Sequence, residues 1–135
     1  MTTKSYRRIS LAMAIVFGAV GIVFLFFSSE VVVFFNMLSA QLGMQQAEPG
    51  DSHFFAILGV AYMYLVTLLA LQMYRIPESR VFPFLLVNAK AVSSATSILF
   101  FLLDVPLLIY ITNGVVDGMI AALVFFMYRR KRGTL

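Results

Sequence analysis

Two charges sit inside long apolar runs: Lys90, within 81–103, and Asp117, within 107–128. An ammonium and a carboxylate are the residue types that pair with each other, carry a proton or hold a polar solute where water is scarce. Singly, each costs about 2.5–3.5 kcal/mol at the centre of a membrane helix on insertion scales. Lys90 lies ten residues past Arg80, and Asp117 twelve residues before Arg129. At about 1.5 Å per residue these are depths of roughly 15 and 18 Å. Sequential antiparallel helices bring the charges to one level, and an ion pair is the simplest way to insert both. A lysine beside a carboxylate stays protonated, which argues against Lys90 as a Schiff-base or general-base lysine.

Neighbouring residues extend this into a polar seam. Lys90, Ser94, Ser97 and Asp104 fall in one helical stripe, with Ser93 beside it; Tyr110, Asn113, Asp117, the small Ala121 and Tyr128 share another. Tyr62 is thirteen residues before Arg75, roughly 20 Å deep, and in reach to donate its hydroxyl to Asp117. Gly18, with Gly21, is suited to let a neighbouring backbone come close. The expected site is a mid-membrane cluster of Lys90, Asp117 and Tyr62, extended by Ser94, Ser97 and Asn113. Three roles stay open: fixing helix register, a proton or solute path, and an ion pair to a partner chain. Asn88, on the opposite side of its helix from Lys90, is placed to bond another helix or a partner. His53, near Asp51, is a solvated interfacial histidine in the simplest reading and a pH-sensitive contact in the other.

Other chemistry is scarce. The chain has no Cys, no Trp and one His, which rules out disulfides, thiolate metal sites and a bis-His haem within one chain. It has neither Gly-x-Gly-x-x-Gly nor His-Glu-x-x-His, and no Ser-His-Asp set. No catalytic residue, metal site or cofactor is expected.

The elements that must position the pair follow from composition. Of 135 residues, 61% are hydrophobic and 12% charged, against about 45–50% and about 25% in soluble domains. So short a chain cannot hide that excess in a core, and disorder needs low hydrophobicity. Runs at 9–27, 54–74, 81–103 and 107–128 are each near the ~20 residues that cross a bilayer, and in lipid they must be helices. The predicted fold is all-α: one integral membrane domain over 1–135, a four-helix up-down bundle. Lys4, Arg7 and Arg8, then Arg75 and Arg80, then Arg129, Arg130, Lys131 and Arg132 fall on one side after four crossings. Glu30, Glu48, Asp51 and Asp104 fall on the other, with no Lys or Arg. The positive-inside rule then makes both termini cytoplasmic, in a multi-pass cell (inner) membrane protein. The net charge of +4 is thereby explained by anchors, with no nucleic acid partner. The basic tail, 129–135, is a topological anchor, with an anionic-lipid patch as a compatible extra. A cleaved signal peptide is the rival reading of 9–27, but the run is long for one and no Ala-x-Ala-like site follows promptly.

Between the first two runs, Val31, Phe34, Phe35, Leu38 and Leu42 make one apolar helical stripe. It predicts an amphipathic surface helix at about 30–44, capped by Ser28 or Ser29, stopped at Gly43 and followed by a turn at 48–51. The alternative is a first span that continues and bends. In size and plan the chain resembles small multidrug resistance transporters, and also GtrA-like flippases and DoxX-like proteins. The likeness is of architecture: the first-span Glu of the first family is absent from 9–27, and no motif transfers a site.

Three functions compete. The leading one is a non-enzymatic subunit or assembly factor packing against other membrane chains. The second is a small-solute or proton-coupled transporter or flippase, working as a homo-oligomer through Lys90 and Asp117. The third is a lipid- or quinone-acting enzyme using Tyr62, Lys90 or Asp117 as acid or base. The expected partners are the lipid bilayer and a homo-oligomer or larger membrane complex.

Overall fold

The computed structural model describes residues 1–47 and 53–132. They form four helices: α1 (Thr3–Gln41), α2 (His53–Arg75), α3 (Val81–Leu103) and α4 (Leu108–Arg132). No strand occurs among the described residues, and all four helices are long and apolar enough to cross a membrane.

The largest departure from expectation is α1. It begins before the apolar run, because the Thr2 hydroxyl accepts the Ser5 backbone N–H at 3.2 Å and caps the first turn. It then runs to Gln41, 39 residues in all, as two helical stretches joined by a kink, and the segment expected as a helix at 30–44 follows the first stretch with no loop between them. Ser28 and Ser29 are helical and follow directly on the kink residue, Phe27. The sequence from 3 to 41 has no proline, so nothing removes a ladder hydrogen bond. Only Phe27 leaves helical geometry (φ −131°, ψ 31°), and it marks a kink. The stop is at Gly43, whose φ of +64° suits glycine. Met44 N–H reaches Ser39 O (2.8 Å) and Gly43 N–H reaches Ala40 O (3.4 Å), the paired bonds of a Schellman motif. Asn36 then ties the chain back by bonding both N–H and C=O of Ala47. The turn expected at 48–51, and any contact of His53 with Asp51, lie outside the described residues.

The other helices have legible bounds. Pro83 sits in the first turn of α3, where its missing N–H has no partner to lose, and Pro106 follows the end of that helix. α4 runs four residues past 128, so Arg129 to Arg132 belong to the helix.

α1 packs chiefly on α2 and α3 chiefly on α4; α2 and α3 touch less, and α1 and α4 least. The apolar core comes from 6–17 of α1, 63–73 of α2, Leu86, and Val124 and Met127 of α4. Beyond it one end is knotted by polar contacts. Lys131 donates to Pro77 O and to Glu78 Oε1, and its ammonium lies 5.0 Å from the Tyr6 ring centroid. The Met1 amine reaches Arg130 O at 3.3 Å, and Arg7 lies over Tyr74.

Candidate functional site

Helical spacing builds the site from two stripes. Pro83, Leu86, Lys90 and Ser94 are the buried residues of α3; Gly114, Asp117, Ala121 and Val124 are buried on α4. The spacings of three and four put each set on one face. Where the stripes cross, Lys90 Nζ lies 2.7 Å from Asp117 Oδ1, with the side chains only 3% and 4% exposed. Phe17 of α1 and Tyr62 of α2 close over the ammonium, their ring centroids 5.0 and 4.9 Å from Nζ. One carboxylate oxygen and two ring faces therefore surround Nζ. The π faces are negative and suit a desolvated cation. Asp117 Oδ2 is buried and accepts no hydrogen bond among the described residues.

Toward the far ends of α3 and α4 the seam is polar and tight. Ser94 Oγ donates to Gly114 O at 2.6 Å, and Asn113 Nδ2 donates to Ser97 Oγ (2.7 Å) and Ser93 Oγ (3.2 Å). Two glycines that the sequence reading passed over allow this. A Cβ on Gly114 would lie 2.8 Å from Ile98 Cγ1, and one on Gly118 would lie 3.0 Å from Ser94 Oγ. Their spacing of four, the small-xxx-small pattern of close-packed membrane helices, was the available signal. Of the two glycines expected to pack, Gly21 meets Met63 closely (3.2 Å to a built Cβ), whereas Gly18 is only in ordinary contact with Thr67 (3.8 Å).

Tyr62 is at the pair but not in the expected way. Its hydroxyl donates to Ala89 O at 3.2 Å rather than to Asp117. With the ring lying over Lys90, the hydroxyl is carried past the pair to the α3 backbone. Asn88 makes no hydrogen bond to another helix among the described residues: its amide donates to Phe84 O within α3. Asp104 ends α3 in an exposed position, and Tyr110 lies beside Phe100, outside the cluster.

A cleft of about 440 Å³ reaches this floor. Its walls are mostly apolar, from Phe17, Val20 and Phe24 of α1 and Val116 and Ile120 of α4; Tyr62, Lys90, Ser93, Asn113 and Asp117 supply the polar part. It lies along the seam where α1 and α4 touch least, and its wall residues Val16 and Val116 are 56% and 47% exposed. It also spans the kink at Phe27, because Ser28 and Val31 line it as well. Among the described residues, no three His, Asp or Glu side chains are grouped to hold a metal ion. A cleft with apolar walls and a few convergent polar groups has the construction of a small-molecule site. Compared with known protein families, curated proteins and solved structures, the chain matches none.

Proposed function

We propose that this chain is a small multi-pass membrane protein that binds a membrane-dissolved molecule in the cleft between α1 and α4, its polar end against Lys90 and Asp117. The observation that carries this reading is Asp117 itself: a buried carboxylate on the cleft wall with one oxygen paired to Lys90 and the other without a partner among the described residues. A pair that served only to lock two helices would gain from having both oxygens satisfied. Cleft size supports the same reading, since small-molecule sites occupy roughly 300–1,000 Å³. The exposed rim at Val16 and Val116 is apolar, which suits entry from the hydrocarbon layer rather than from water. Binding without reaction is favoured, because Lys90 is held by Asp117 and two rings, and the lining includes no nucleophile with a base at hand. The protein would thus carry, present or translocate its ligand.

Topology completes the proposal. The start of α1, the α2–α3 turn and the end of α4 meet through Met1, Pro77, Glu78 and Lys131. This supports an up-down path with that basic end facing the cytoplasm of a cell's inner membrane. The arm of α1 beyond Phe27 would then lie toward the outer surface, its Val31, Phe35 and Leu38 stripe against lipid or the bundle.

Gly59 offers the test. It lines the cleft, and a Cβ built on it meets nothing within 4 Å among the described residues. Gly59→Phe is expected to fill the cleft without disturbing the core. Extracted in particles of native lipid and weighed intact, the wild-type protein is expected to retain a small apolar molecule that Gly59→Phe loses. Equal retention by both, or none by either, would overturn the proposal. A protein partner recovered in fixed ratio, with no small molecule, would favour the subunit reading instead.

A further inference from the structure

At the floor of the cleft one carboxylate oxygen is left without a donor, and we infer from it the chemical class of the ligand: an uncharged amphiphile whose head presents a hydrogen-bond donor, an alcohol or phenol hydroxyl. This inference rests on the proposed binding role and sharpens it.

Charge balance gives the first half. The charged residues lining the cleft are Lys90 and Asp117, and they cancel. A phosphate or ammonium head would bring a net charge into a site with no counter-ion to spare, and desolvating a charge without a partner is costly. A neutral head avoids this.

Donor and acceptor accounting gives the second half. The donors next to the ion pair are committed. Lys90 Nζ faces Asp117 Oδ1 and two aromatic rings. Tyr62 OH is given to Ala89 O, and both N–H directions of Asn113 go to Ser93 and Ser97. One acceptor is not. The Ser28 and Ser93 hydroxyls can give or take a hydrogen bond, but Asp117 Oδ2, buried and without a partner among the described residues, can only accept one. Groups that lack a donor call for a ligand that brings one. Against Asp117 Oδ2 a carbonyl or ether oxygen would place acceptor against acceptor, whereas a hydroxyl completes the carboxylate with a charge-assisted bond. The apolar walls then hold the hydrocarbon part along α1 and α4.

A matched set of probes tests this: 4-octylphenol, its methyl ether 4-octylanisole, and 4-octylphenyl phosphate. The phenol stays neutral at pH 7 because its pKa is near 10. The ether has nearly the same shape without the donor, and the phosphate ester adds charge. Each is titrated as a mole fraction of bilayer lipid into nanodiscs holding the full chain, with the Asp117 carboxylate carbon followed by NMR. Titration by mole fraction removes differences in partitioning. The phenol is expected to half-saturate the site at a mole fraction roughly tenfold to a hundredfold below the ether, and the phosphate to bind no better than the ether. In the double variant Lys90→Met with Asp117→Leu, which removes both charges together, the phenol and ether are expected to bind alike, read by thermal stabilisation. Equal binding of phenol and ether to the wild type would overturn the donor inference while leaving the cleft reading intact. Tighter binding of the phosphate would overturn the neutral-head inference in the same way. No binding of any probe, with Gly59→Phe indistinguishable from wild type, would overturn both.

Discussion

The two ends of this bundle are built from similar residues and packed differently. Toward the end bearing Arg75 and Arg129, Met13, Phe17, Val66, Met73, Leu86 and Val124 interlock, and Val66, Met73, Leu86 and Val124 have no exposed surface. Past the level of Lys90 and Asp117, equally apolar side chains such as Ile22, Phe26, Leu102 and Val115 point outward, and α1 stands apart from α4 along the cleft. In water the second arrangement would collapse, because exposed apolar surface is unfavourable. In lipid that drive is absent, and helices associate through close packing and hydrogen bonds instead. The closed end therefore reports shape complementarity. The open end reports which helices have polar or small-residue reasons to touch: there α3 and α4 are joined through Ser93, Ser94, Ser97, Asn113 and Gly114, and Gly21 lets α1 come close to Met63 of α2. The ion pair sits at the boundary, where both kinds of packing meet.

Breaking that boundary is expected to have the largest effect. Lys90→Met or Asp117→Leu alone leaves one buried charge without its partner, at about 3–5 kcal/mol. The double change should cost clearly less than the sum, measured as unfolding free energies in mixed micelles. Strictly additive losses would show that the two groups do not act as a pair. Leu86→Ala, in the closed end, should cost about 2 kcal/mol, the low end of the range for core truncations. The lost contacts remain, but lipid supplies part of the apolar transfer. Ile22→Ala, on the outward face of the open half, should stay within about 0.5 kcal/mol. Equal effects at the two sites would erase the distinction between the ends.

Glycines sharpen the comparison at smaller scale. An alanine Cβ at Gly114 must displace Ile98 and crowds Ser94 O, while one at Gly59 enters open space. Gly114→Ala is expected to destabilise by about 1–3 kcal/mol through overpacking. Gly59→Ala should be neutral, or stabilising by a few tenths up to about 1 kcal/mol from helix propensity. The same unfolding measurement reads both, and a reversed order would place the tight seam elsewhere.

Much of this architecture is legible in the sequence. Run length and charge clusters mark four helices, and counting from Arg80 and Arg129 sets Lys90 and Asp117 at similar depth. Three features are not. Periodicity names the apolar face of α1 and of α4, but it does not say whether two such faces meet or stand apart, so the cleft is invisible. Val31 to Leu42 carries the same stripe whether it forms a separate helix or the far end of α1; one non-helical residue, Phe27, is all that divides these cases. Counting from Arg75 puts Tyr62 near the level of the pair, but the direction of its hydroxyl depends on where the ring lies, and the pull of Lys90 on that ring leaves no trace in spacing. The Gly114 and Gly118 pattern was present and readable, overshadowed by the charge beside it.

Tyr62 gives the smallest and most discriminating prediction. Two contacts tie it to α3: its ring face over Lys90 and its hydroxyl on Ala89 O. Tyr62→Phe removes the second and keeps the first. A net hydrogen bond is worth about 0.5–1.5 kcal/mol, and Ala89 O keeps its place in the α3 ladder, so a loss near the lower value is expected. Tyr62→Leu removes the ring face as well and should add about 0.5–2 kcal/mol, the range for a cation over an aromatic ring. That added loss should vanish when Lys90 is already Met, because the ring then faces no cation. If Leu and Phe at position 62 remain unequal by the same amount in the Lys90→Met background, the ring serves the closed core by shape alone. The boundary between the two ends would then be held by the carboxylate and not by the aromatic faces.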